Sequence, residues 1–206
     1  MRSNPSTIGQ SSTFTEQARR IQIVECAIDT MSELGYARSS LAEIAKRAGI
    51  SKGVIAYHFT SKNELTEQVA LELFGRAGRL IDTRLEEAPT ATAALRGYLE
   101  ANLAFIGANP DLVRVLTDIV MNFRDADGSP RYGPQDDGLI EHLEGTLRHG
   151  QETGEFRDFA TRAMAIAIRA AVDAAAGRIG RDPRFDIGTY TRELITLVGL
   201  ATAKSP

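Results

Sequence analysis

Apolar residues at Phe14, Ile21, Val24, Ile28, Met31 and Leu34 recur at helical spacing and fall on one face of a first predicted helix. Thr13 with Glu16 forms a capping box at its start, and Gly35 stops it. Ser40 with Glu43 makes a second box, opening a short helix patterned by Leu41, Ile44, Ala45 and Ala48 and ended by Gly49. Ser51 caps a third helix running to about Phe59. Ser61 with Glu64 launches a long fourth helix through Leu65, Val69, Leu73 and Leu80 toward Ala88.

Beyond Pro89 the helical period continues. Helices are predicted over 93–108 and 111–123, divided by Asn109 and Pro110, and over 136–153, 158–179 and 186–203, the last two split by Gly180 to Pro183. The stretch 124–134, with Asp127, Gly128, Ser129 and Pro130 at its centre, reads as an exposed loop. No period-2 strand is found, so the chain is expected to be all-α with about nine helices.

The unit Ser40 to Phe59 is a short helix, a tight turn at a glycine and a second short helix, the geometry that seats the second helix in a DNA major groove. Ala45 and Ile50 make the close contact between the two helices, and Leu41, Ile44, Ile55 and Phe59 face the core. On the second helix Ser51, Lys52, Val54, Ala56, Tyr57 and His58 are left exposed. Lys52 is the candidate donor to guanine, Val54 can touch a thymine methyl, and Gly53 lets the backbone approach the DNA. Ser51 and Ser40 are either caps only or caps that also reach phosphate. Tyr57 either contacts phosphate or packs against the first helix, His58 either contacts phosphate or is a solvated helix-terminal residue, and Lys62 brings charge to the start of the fourth helix.

The charge distribution agrees with this division. The net charge is −3, but residues 1–62 hold 8 Lys/Arg against 5 Asp/Glu, so the head is positive and the remainder negative. A basic head on an acidic body keeps phosphate attraction local. The polar first dozen residues lack the apolar centre of a signal peptide, and no run approaches a membrane span. The expected protein is cytoplasmic, with a flexible arm over 1–13, a helix-turn-helix DNA-binding domain over 14–62, and a ligand-binding and dimerisation domain over 63–206. The single cysteine, Cys26, reads as a small buried hydrophobe and excludes an intrachain disulfide.

The run Ala48 to Phe59, followed by Ser61, Lys62, Asn63, Glu64 and Leu65, resembles the signature of the TetR-family transcriptional regulators. The resemblance covers about residues 14–65. It implies a homodimer whose two heads occupy successive major grooves of a palindromic operator, and a body whose small-molecule effector releases the DNA, repression being the commoner outcome. Ala56 stands where that family usually has tyrosine, and Val54 where many members have threonine. The contacts of those side chains are absent here, and more of the reading falls on Lys52 and Tyr57.

In the body, the helix over 158–179 is rich in alanine and so suited to close helix approach on more than one side. The last helix carries Ile187, Tyr190, Leu194, Leu197 and Val198 at helical spacing. These two helices either complete an internal core or, as the resemblance implies, pair across a two-fold axis as a four-helix bundle. Phe105, Ile106, Leu116, Ile119, Met121, Phe123, Leu143 and Leu147 are candidate lining for an effector pocket, or plain core. Arg169 and Asp173, four apart in an apolar stretch, either hold a polar ligand group or form an ion pair.

An enzyme has little support. His142 and His149 are unaccompanied by a metal-binding spacing, and no phosphate loop, nucleophile elbow or Cys–His pair is present, so no metal, cofactor or catalytic residue is expected. A ligand-independent DNA-binding or architectural protein with the same head is the remaining alternative.

Overall fold

The computed structural model describes residues 6–132 and 138–204. Among the described residues the protein is all-α, with nine α-helices, one 3-10 turn and no strand beyond two isolated bridges. The chain divides into two compact units, Met1–Glu72 and Leu73–Pro206, and the division falls inside a helix.

The first unit begins with α1 (Ser6–Leu34). The arm expected over 1–13 is therefore corrected for residues 6–13, which lie in this helix, while residues 1–5 are outside the described ones. The stretch 6–13 contains no proline, and once it is helical the amides after Thr13 pair with preceding carbonyls, so the Thr13–Glu16 box does not start the helix. Ile23, Val24, Ala27, Ile28 and Met31 form its buried stripe. Gly35 ends it with φ of 80°, a left-handed conformation glycine adopts without penalty, and its amide donates to the Met31 carbonyl. A 3-10 turn, Tyr36–Arg38, which the apolar pattern does not predict, leads to α2 (Leu41–Ala48).

At α2 the Ser40 hydroxyl accepts from the Glu43 amide at 3.2 Å, and Gly49 closes the helix with φ of 66°. The Ile50 amide donates to the Ala45 carbonyl at 3.0 Å, which fixes the turn into α3 (Lys52–His58). Ser51 caps α3 through the Val54 amide. The long helix α4 (Lys62–Glu86) is capped by Ser61, which accepts from the Glu64 amide at 3.1 Å. Ile44, Ala45, Ile55, Phe59, Leu65, Val69 and Ala70 are buried in this unit.

In the second unit, α5 (Ala91–Ala108) is the central helix, packed against α6 (Pro110–Asn122), α7 (Gly138–Glu152), α8 (Thr161–Arg178) and α9 (Ile187–Thr202). Thr90 caps α5, and the Glu155 carboxylate, from the connection between α7 and α8, accepts from the Ala91 and Thr92 amides at 3.0 and 2.9 Å. The core joins Leu95, Tyr98, Leu99 and Leu103 of α5 to Leu143 and Leu147 of α7, Ala165, Ile168 and Val172 of α8, and Leu194 and Val198 of α9. The Tyr190 hydroxyl ties α9 to α8 by donating to the Ala171 carbonyl at 2.7 Å. Residues 133–137, including the end of the expected 124–134 loop and the start of the expected 136–153 helix, lie outside the described residues.

Candidate nucleic-acid interface

The helix α3 buries Ile55 and half-buries His58, and turns the rest of its side chains outward. Ile55 is wholly buried, while Ser51, Lys52, Gly53, Val54, Ala56 and Tyr57 are exposed, Tyr57 by 75%. A helix of this length cannot hold itself in water. Its orientation is imposed by the Ile55 plug, by Phe59 directly after it, and by the Gly49 turn before it. The result is a rigidly seated but solvent-facing row with one cation, Lys52, in the first turn and one phenol, Tyr57, in the last.

Ser40 and Ser51 are both exposed and both caps, so each hydroxyl is committed through one acceptor contact to its own helix. His58 is half-buried, its ring edge-on to Tyr57 at 5.0 Å, and its Nδ1 is buried without a hydrogen-bond partner. Lys62 is placed differently from the exposed row. It is half-buried, its Nζ donates to the Tyr36 carbonyl at 3.1 Å, and it lies 4.8 Å above the Tyr36 ring. Burial pushes its ammonium below the ordinary lysine value.

Two features of this region lie outside the reach of the apolar pattern. Arg20 of α1 donates to the His58 carbonyl, pairs with Glu64 at 3.3 Å and lies 4.3 Å over the Phe59 ring. Its signal in the sequence is a cation three, four and seven residues before Ile23, Val24 and Ala27, hence on the buried face of α1. Glu64 in turn accepts from the Thr60 amide at 2.7 Å and the Thr60 hydroxyl at 2.8 Å. Thr60, and secondarily Arg20, hold the Glu64 carboxyl below its ordinary value.

The expected effector-pocket residues do not form one set. Ile106, Leu143 and Leu147 belong to the body core, with Phe105 packed against it; Ile119 and Phe123 are buried, Leu116 is half-buried, and Met121 is 63% exposed. A cleft of about 370 Å³ between α5 and α9 is bordered instead by Glu100, Leu103, Ala104, Gly107, Ile187, Gly188 and Thr191. Arg169 and Asp173 form an ion pair within α8, and Arg169 also donates to the buried Tyr98 hydroxyl at 3.4 Å.

The outer faces of α8 and α9 expose Ile166, Leu197 and Leu200 by 51, 64 and 75%, together with Ala163, Ala167, Ala170 and Ala174. Among the described residues no three His, Cys, Asp or Glu side chains gather as a metal site, and no helix is long and apolar enough to cross a membrane.

Residues 23–69 match the sequence profile of the bacterial regulatory proteins, tetR family. The transcriptional regulator BetI of Escherichia coli is 31% identical over 100 residues, 48% of this chain and 49% of that protein. The chain thus spans about half the length of the curated relatives it matches. Two solved structures share the fold of nearly the whole chain. The ketosteroid transcriptional regulator KstR2 of Mycobacterium tuberculosis has a TM-score of 0.69 at 18% identity, covering 91% of this chain and 96% of its own. The transcriptional regulator FadR of Bacillus subtilis, solved in complex with stearoyl-CoA, has a TM-score of 0.73 at 20% identity, covering 86 and 96%. The helix-turn-helix segment thus matches the tetR family of bacterial regulatory proteins, and nearly the whole chain shares the all-helical fold of these solved regulators.

Proposed function

We propose that this protein is a sequence-specific DNA-binding transcriptional regulator, a repressor that leaves a palindromic operator when its body binds a small molecule. The observation that carries the reading is the outward row of α3, seated by Ile55 and Phe59 and offering Lys52 and Tyr57 to solvent. On this reading Lys52 reads base edges, Val54 touches a thymine methyl, and Gly53 admits the DNA backbone. Ser40, Ser51, Tyr57, His58 and Lys62 position the head on phosphates. The DNA-binding domain is 14–62 and the ligand-binding and dimerisation domain 63–206. Two copies pair through the exposed apolar faces of α8 and α9, which supports a two-fold operator. The protein acts by binding rather than catalysis and works where DNA is found, in the cytoplasm.

Selection of bound DNA from a random pool tests this reading. A palindromic consensus is the expected result, and the absence of any enriched sequence defeats it. For the effector, FadR with its stearoyl-CoA makes long-chain acyl-CoA the first compound to try here, beside a metabolite library. Bound effector raises the melting temperature and weakens operator binding. The burial of Ile119, Leu143 and Leu147 favours the alternative of ligand-independent DNA binding, which predicts neither effect.

A further inference from the structure

We infer that Arg20, on α1 and outside the helix-turn-helix, is the positioning residue that fixes the last turn of α3 for DNA, an inference that rests on the DNA-binding reading above. The first turn of α3 is held by the Ser51 cap and by the Gly49 turn. Its last turn has no side-chain cap of its own. The carbonyls at a helix end lack intrahelical donors and gather partial negative charge. Arg20 meets both needs at once, donating to the His58 carbonyl and placing a guanidinium at that pole.

The arginine is itself fixed on two further sides. One edge pairs with Glu64 of α4 at 3.3 Å, and its plane lies 4.3 Å over the ring of Phe59, the residue that ends α3. Glu64 is anchored by both the amide and the hydroxyl of Thr60 in the turn between α3 and α4. One side chain thereby ties α1 to the end of α3, the turn after it and the start of α4. The turn so held is the one carrying His58 and the exposed Tyr57. Lysine is a poor replacement, because a single ammonium cannot serve the carbonyl, the carboxylate and the ring face together.

The test uses the full-length chain, the operator obtained by selection, and the variants Arg20→Gln and Arg20→Lys. Operator affinity is measured across salt concentrations well below each variant's melting temperature. Arg20→Gln is expected to weaken binding by about tenfold, with Arg20→Lys between it and wild type. The slope of log affinity against log salt stays unchanged, because the contact that loosens is that of an uncharged phenol and no cation neutralising a phosphate is lost. Combined with Tyr57→Ala, the Arg20 change adds little, since the turn it positions no longer carries its contact; combined with Lys52→Ala it multiplies.

Unchanged affinity in the folded variants overturns the inference. So does a salt slope lowered by about one, which marks Arg20 as a phosphate contact, or a full multiplicative effect on top of Tyr57→Ala. If Arg20→Gln does not fold, the same comparisons are made with Arg20→Lys, and the same three results overturn the inference. A wild-type chain that selects no DNA defeats the DNA-binding reading itself, whereas a wild type that binds beside unaffected variants defeats only the role of Arg20.

Discussion

The ring of Phe156 occupies the space that a side chain on Gly150 would need: a Cβ there would stand 2.1 Å from the ring's Cδ2. Both residues are buried, and the Phe156 amide donates to the Gly150 carbonyl at 2.9 Å, so the backbone closes the same contact from the other side. The ring cannot swing away, being packed into the body core and near Phe159. Gly150→Ala is therefore expected to destabilise the protein by about 1–3 kcal/mol through overpacking. Phe156→Ala alone costs about 3–5 kcal/mol. The double variant should lose less than the two together, because the alanine methyl then enters the space the ring has left. Denaturant midpoints of the three variants check this, and strict additivity would refute it.

Glu155 makes a prediction about acid. The Thr92 and Ala91 amides, at the start of α5, hold its carboxyl down to about 2. A carboxylate depressed in the folded state contributes stability that is complete above its ordinary value of 4.5 and lost as pH falls through about 2. The melting temperature of wild type should thus exceed that of Glu155→Gln at neutral pH, and the gap should shrink between about pH 4.5 and pH 2. A gap independent of pH over that window would mean that the amides do not favour the charged form.

The parts of the fold that are specified locally are the parts legible in the sequence. Ser40, Ser51 and Ser61 each cap the helix expected of them, because a hydroxyl and an amide three residues on need nothing else to meet. The start of α1 is not legible in the same way, because a capping box marks a beginning only when the residues before it are not already helical. In the body, Ile119 and Met121 are alike in apolarity, yet two positions along a helix point nearly opposite ways, and one is buried while the other is exposed. Which apolar face meets which neighbour is decided by packing between distant helices, and Gly150 beneath Phe156 is a pairing that no local pattern announces. Arg20 is visible as a cation on an apolar face, but its three partners come from residues 58, 59 and 64.

Lys52 and Lys62 should differ in kind. Lys52 is exposed in the first turn of α3, and Lys52→Ala is expected to lose about 1–3 kcal/mol of discrimination between operator and unrelated DNA. Lys62 has a partner within the head, the Tyr36 carbonyl and ring, so Lys62→Ala should weaken binding to all sequences and also lower the melting temperature. Competition binding with specific and unrelated duplexes, together with thermal melts, separates the two. A Lys62 variant with the thermal stability of wild type would show that its contacts to Tyr36 contribute nothing to the head.

The last prediction concerns the pairing of two copies. On α8, Ala165, Ile168, Val172 and Ala175 face the core while Ala163, Ile166, Ala167, Ala170 and Ala174 face solvent, so this helix is apolar on both sides with only one side covered. On α9, Leu194 and Val198 face inward and Leu197 and Leu200 outward, giving the same two-sided pattern. Small residues on α8 beside large ones on α9 allow close approach of a second copy, and a two-fold axis presents every contact twice. Full burial of one leucine is worth about 1.5–3 kcal/mol, so Leu197→Glu with Leu200→Glu removes that gain on both protomers and adds carboxylates to an apolar seam. Sedimentation should find a dimer for wild type and a monomer for the double variant. The monomer should keep its helical signal, because neither leucine belongs to the core of its own body. Its affinity for a palindromic operator should fall toward that for a single half-site, since two heads no longer bind as one unit. A double variant that remains dimeric would move the seam away from these two helices.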